Sequence, residues 1–233
     1  MRTDAITDVG LVRKENEDSF LIREDLGLAV VADGMGGHEA GEVASLLAVK
    51  TLEDSLQENP GFDEVSLGLA VKAANSAIYR QASENPSFQG MGTTLTALWW
   101  RGSKALIGHV GDSRAYLIRN QQISLLTTDH SLVNELVQGG HITEAEALTH
   151  PQRNVVTRAL GVDVNVEVDL IAVEVEQGDK FVLCSDGFSN LINAEEILAA
   201  LATEPTGPAL SKLKQMALDR GGFDNITAVL VEF

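Results

Sequence analysis

The chain has 233 residues and 44% of them are hydrophobic, enough for a sizeable core and too many for a disordered chain. Its formal net charge of -17 opposes direct binding to nucleic acid or to an anionic membrane, and no apolar run approaches the ~20 residues of a membrane span. The single cysteine, Cys184, excludes an intramolecular disulfide, and Met1-Arg2-Thr3-Asp4 lacks the charged and apolar regions of a signal peptide, so a cytoplasmic location is expected.

Along the chain, residues 3–8, 19–24 and 28–33 read as strands. Helical spacing of Ala44, Leu47, Ala48, Leu52 and Leu56 predicts a helix over 38–57, and Val65, Leu69, Ala73 and Ile78 predict a second over 63–83. Strands follow at 93–100, 104–110, 114–119 and 122–126, with 104–119 reading as a hairpin-like pair around Gly111-Asp112-Ser113-Arg114. Short helices are expected at 130–138 and 143–148. The Gly-, His- and Pro-containing stretch 139–161 has weak periodicity and reads as a flap or surface excursion. Strands resume at 165–174 and 180–184, then helices at 194–202 and 206–219, then a strand at 226–232. Grouped strands and paired helices favour an antiparallel α+β layered domain over an alternating parallel sheet. No linker divides the chain, so residues 1–233 are expected to form a single domain.

Four acidic residues stand where these runs end or begin. Asp33 ends Val30-Val31-Ala32, Asp112 follows Val110-Gly111, Asp186 follows Val182-Leu183-Cys184-Ser185, and Asp224 precedes Asn225-Ile226-Thr227. A carboxylate at a strand mouth is held by rigid backbone yet left accessible. Four converging carboxylates repel one another unless cations lie between them. Hard oxygen ligands select Mg²⁺, Mn²⁺ or Ca²⁺ over Zn²⁺. Taken singly, each of these turns also reads as an ordinary cap or loop, and Arg13-Lys14-Glu15-Asn16-Glu17-Asp18 also reads as a charged surface turn.

As a set they are more specific. Arg13-x-x-Asn16-Glu17-Asp18, Asp33-Gly34-Met35-Gly36-Gly37-His38, Gly90-Met91-Gly92-Thr93-Thr94 and Val110-Gly111-Asp112-Ser113-Arg114 occur in order. His150-Pro151-x-Arg153-Asn154 with Thr157-Arg158-Ala159-Leu160-Gly161, Ser185-Asp186-Gly187 and Asp224-Asn225-Ile226-Thr227 complete the series. This series resembles the bacterial metal-dependent serine/threonine protein phosphatases of type 2C across essentially the whole chain.

The resemblance implies a four-layer α-β-β-α sandwich of two antiparallel sheets, each covered by a helix pair. It implies two Mn²⁺ or Mg²⁺ ions, with room for a third. Asp33 would bridge two ions and Gly34 would offer its carbonyl. Asp186 and Asp224 would hold the first ion and Glu17 the second, with Asp18 acting through bound water. Asp112, with Asp186, corresponds to the third site, and Arg13 to the residue that grips the substrate phosphate. The implied reaction is hydrolysis of phosphoserine and phosphothreonine in proteins by a metal-bridging hydroxide, without a phosphoenzyme. The catalytic set is then Arg13, Asp33 and a proton donor. Animal members carry His directly after the Asp-Gly pair; here Met35 stands there, and His38 is the substitute donor. His109 reads as a core residue, and His130, His141 and His150 as surface residues. Cys184 lacks the arginine six residues on that a cysteine phosphatase requires, because Asn190 stands there. The implied partners are phosphorylated proteins and a cognate kinase, and the implied state is a free-standing monomer. The alternative is a catalytically silent member that sequesters phosphoproteins.

Overall fold

Runs of aliphatic and β-branched residues pair into two antiparallel sheets. The structure, a computed structural model, describes residues 1–36, 40–59 and 61–233. One sheet contains β1 (Arg2–Asp8), β7 (Arg114–Arg119), β8 (Gln122–Leu125), β10 (Lys180–Cys184) and β11 (Ile226–Glu232), in the order β1-β11-β10-β7-β8. The other contains β2 (Asp18–Arg23), β3 (Leu28–Met35), β5 (Leu95–Arg101), β6 (Lys104–Val110) and β9 (Asp169–Glu174), in the order β2-β3-β5-β6-β9, with β4 (Gly92–Thr93) added to β3. Helices α1 (Ala40–Glu58) and α2 (Glu64–Glu84) cover the second sheet. Helices α6 (Ala194–Thr203) and α7 (Thr206–Asp219) cover the first. Short helices α3 (Leu132–Gln138), α4 (Glu144–Ala147) and α5 (Asp186–Ser189) lie in the connections. The result is the four-layer α-β-β-α sandwich.

Side-chain alternation builds the layers. In β3, Leu28, Val30 and Ala32 face α1 and α2, whereas Ala29 and Val31 face the other sheet. In β11, Ile226, Ala228 and Leu230 face α6 and α7, whereas Val229 and Val231 face inward. Both faces are covered, which is why these strands read as continuous apolar runs. Phe181 and Leu183 close the seam between the sheets from β10. Phe181 is fully buried, and its truncation to Ala would cost about 3–5 kcal/mol.

Several expectations are corrected. Residues 104–119 are not a hairpin: β6 pairs with β5 and β9, while β7 pairs with β10 and β8. The chain crosses from one sheet to the other at Gly111-Asp112-Ser113, a change of partner that local pattern does not carry. The strand expected at 165–174 starts only at Asp169. The one expected at 93–100 is broken at Thr94. Helix α5 went unseen because it is a single turn. The expected start of the first helix, residue 38, lies outside the described residues.

Candidate metal centre

The alternation that packs β3 also aims Asp33. It continues the inward row of Ala29 and Val31, so its carboxylate emerges where the seam between the sheets opens. Asp18 is its register partner on β2. The backbone of Asp33 is clamped by the Thr93-Thr94 break: its N–H donates to Thr94 Oγ1 at 2.9 Å, and its carbonyl accepts from Thr93 Oγ1 at 2.8 Å and from Thr94 N–H at 2.9 Å. The neighbouring Gly34 donates its N–H to Glu17 O at 3.1 Å. A Cβ there would lie 2.1 Å from Gly41 O, so only glycine lets the Glu17 loop, β3 and α1 approach this closely.

The other sheet supplies the opposing residues. Ser185 caps β10 and donates from Oγ to Asp18 Oδ2 at 2.7 Å, linking the sheets through a buried hydroxyl. Asp186 follows at the start of α5 and is half-buried. Asp112 sits at the crossing between sheets and is 8% exposed. Its turn is fixed by Ser113 Oγ, 2.7 Å from Thr94 Oγ1, which ties it to the clamp on Asp33. Asp224 precedes β11 and meets Arg13 in a two-pronged ion pair, Nη2 to Oδ2 and Nε to Oδ1, both 2.8 Å. Asn225 stitches the Arg13 loop to this strand. Its Oδ1 accepts from Glu17 N–H at 2.8 Å, and its Nδ2 donates to Val9 O at 3.0 Å and Glu15 O at 2.9 Å.

Electrostatics agree with convergence. Burial, and then the charges of Asp18, Asp186, Asp112 and Asp224, push the Asp33 carboxyl well above the usual range. Burial first pushes Asp18 up to about 7, with Asp186 and Asp224 adding to it. Burial and Asp186 push Asp112 up to about 7. Burial and Asp224 raise Asp186, and burial raises Glu17. These groups resist ionising together unless a cation stabilises them.

The donor set fits divalent cations. Glu17 Oε1 and Asp18 Oδ1 are buried oxygens without a hydrogen-bond partner, an arrangement that is costly unless a ligand satisfies them. All the donors are hard oxygens, which suit Mg²⁺ or Mn²⁺. Among the described residues, no group of three His, Cys, Asp or Glu side chains forms a ligand shell by itself. The fold sets their backbone positions, and side-chain rotation has to complete a shell.

Glu17, Asp18, Asp33, Gly34, Asp112, Asp186, Asp224 and Arg13 are thus brought to one end of the sandwich from both sheets. His38 lies outside the described residues. His130, expected at the surface, is buried: its Nδ1 accepts from Gly111 N–H at 3.0 Å, and its Nε2 lies 3.2 Å from Asp169 Oδ2. It stacks on buried His109, which is held between Thr96 Oγ1 and Thr128 O. Both imidazoles are therefore engaged in packing. Sequence reasoning assigned no role to Asn225, Ser185 or Thr94. Ser185 and Asn225 were marked only as polar neighbours of Asp186 and Asp224, and Thr94 only by its place in Gly92-Thr93-Thr94.

A family model described as Protein phosphatase 2C matches residues 13–219. The chain is 43% identical to the serine/threonine protein phosphatase PstP of Mycobacterium tuberculosis across 100% of its own length, but spans only 45% of that relative. It is 39% identical to the serine/threonine phosphatase Stp of Listeria monocytogenes, covering 100% of this chain and 96% of that one. The crystal structure of the PstP catalytic domain in complex with two manganese ions superposes with a TM-score of 0.89 at 42% identity, over 98% of this chain and 96% of that one.

Proposed function

Since the chain belongs to the protein phosphatase 2C family, we propose that it hydrolyses phosphoserine and phosphothreonine in proteins, with Mn²⁺ or Mg²⁺ as cofactor. The observation that carries this reading is the pair of buried, unpartnered oxygens, Glu17 Oε1 and Asp18 Oδ1, beside the Asp33 carboxylate. Asp33, Gly34, Asp186, Asp224 and Glu17 would hold two ions, with Asp18 acting through water and Asp112 with Asp186 serving a third. Bound there, such ions lower the pKa of water toward neutrality and offset the charge on phosphoryl oxygens.

The chain's own residues do the rest. Arg13 is exposed enough to offer its planar fork to a phosphate. The Thr93-Thr94 clamp and Asn225 keep the carboxylate-bearing backbones in register. Cys184 is buried and its thiol is pushed up to about 12 by burial, so it is no nucleophile. The family resemblance and the metal-fitting carboxylates support attack by water, without a phosphoenzyme, and the buried Cys184 offers no competing thiol. The departing Ser or Thr alkoxide needs a proton. His38, the substitute that the family resemblance suggests, is the proposed donor, and His109 and His130 are engaged in packing. Phosphoproteins and an opposing kinase are the partners, and the excursion over residues 139–161 is the element that shapes their access.

The test is phosphate release from a phosphothreonine peptide by metal-stripped protein, with and without Mn²⁺, alongside Asp186→Ala. Mn²⁺-dependent release that the variant loses supports the proposal. Mn²⁺ binding without release by the wild type would replace it with the phosphoprotein-sequestering alternative.

A further inference from the structure

Two loops at the mouth of this site carry apolar side chains into solvent. Leu11 is 67% exposed, Val12 63% and Phe223 63%. Exposed apolar groups are unremarkable one by one, but a contiguous group beside a site marks a contact surface. The two loops that carry these three are locked side by side. Leu11 N–H donates to Gly222 O at 2.8 Å, and one residue beyond Val12, Arg13 is paired with Asp224.

The turn between them is built to leave room. Gly221 and Gly222 have φ of +114° and +44°. A Cβ on Gly221 would lie 2.4 Å from the Phe223 ring, and one on Gly222 would lie 3.3 Å from Leu11 Cγ. The ring and the leucine thus gather over a bare Gly-Gly turn. Asn225 then anchors both loops to the rigid end of β11, so the surface is fixed relative to Arg13.

We propose that Leu11, Val12 and Phe223 form a shelf that binds an apolar side chain of the substrate next to its phosphorylated residue. This rests on the phosphatase reading above and adds a substrate preference to it. The occupant follows from position. A phosphate at Arg13 puts the residues beside it within reach of Val12 and Leu11, because an extended peptide advances only about 3.3 Å per residue. An apolar neighbour would be buried there, whereas a small polar one would gain nothing.

The experiment uses the Mn²⁺-loaded protein and two phosphothreonine peptides, identical except for leucine or serine at the positions flanking the phosphoresidue. The wild type is expected to favour the leucine peptide by about tenfold in kcat/KM, mainly through KM. The double variant Leu11→Ser, Phe223→Ser is expected to lose that preference while keeping kcat/KM for the serine peptide within about twofold. Phe223→Leu should retain the preference. Equal rates on both peptides in the wild type would overturn the proposal while leaving the phosphatase reading intact. Equal loss on both peptides in the double variant would also overturn it, because the shelf would then serve only to hold the Arg13 loop. A wild-type dimer that the double variant dissolves, with no peptide preference, would assign the shelf to a second copy of the chain. If neither peptide is hydrolysed, the phosphatase reading itself fails, and the same leucine-over-serine comparison is made by calorimetric binding, where equal affinities overturn the shelf.

Discussion

Asp18 and Asp33 face each other as register partners across β2 and β3. Opposed like charges in an antiparallel ladder are destabilising, and here the pair is also withdrawn from water. The arrangement carries a cost in the metal-free protein that a cation held at the proposed site would relieve.

That cost has a pH signature. Burial raises Asp18 and Asp112 from an ordinary 3.8 to about 7. Between those values the folded state keeps protons that the unfolded state releases, so the contribution is full below the lower value and is lost as pH rises through the upper one. Metal-stripped protein should therefore melt at a lower temperature at about pH 8 than at about pH 5, and saturating Mn²⁺ should restore the loss. The joint variant Asp18→Asn, Asp112→Asn should make the profile shallower, leaving the part carried by Asp33, Asp186 and Glu17. A profile in the joint variant identical to that of the wild type would show that these two groups do not carry the raised protonation.

Arg13 is held by Asp224 through two contacts of 2.8 Å. On the proposed reading, a cation at Asp224 or a phosphate at Arg13 would compete for one partner of this pair. Arg13→Lys keeps the charge and loses the fork. KM for a small phosphate monoester should rise about tenfold with a smaller change in kcat. Unchanged KM would remove Arg13 from phosphate binding.

Asn225 makes three hydrogen bonds that require both ends of an amide, and it is 4% exposed. Asn225→Ala should cost about 1–3 kcal/mol in urea unfolding. Asn225→Asp should cost more, because a buried carboxylate would then face the carbonyls of Val9 and Glu15. The reverse order would mean that the amide is not what ties these loops together.

Residues 157 and 160–161 are tied down at the base of the 139–161 excursion. Thr157 N–H donates to His130 O at 2.8 Å, Leu160 pairs with Thr93, and Gly161 N–H donates to Asn75 Oδ1 at 2.8 Å. Replacing residues 140–154 by a short Gly-Ser link should leave these anchors in place. Activity on a phosphoprotein should fall at least about fivefold more than activity on a small aryl phosphate. Matching losses would show that the excursion supports the site as a whole and does not select substrate.

Much was legible from local pattern. The runs Leu28-Ala29-Val30-Val31 and Ile226-Thr227-Ala228-Val229-Leu230-Val231 announced buried strands, because side-chain alternation and burial on both faces act within a few residues. The acidic residues at their ends marked the candidate site, because a strand mouth fixes a carboxylate without covering it. Tertiary structure alone decided that β6 and β7 part at Asp112 to join different sheets, that His130 is buried against Gly111, and that Asp18 stands opposite Asp33. Each of these depends on pairing between segments far apart in the chain, whose energy comes from burial and register and leaves no mark in the spacing of neighbouring residues.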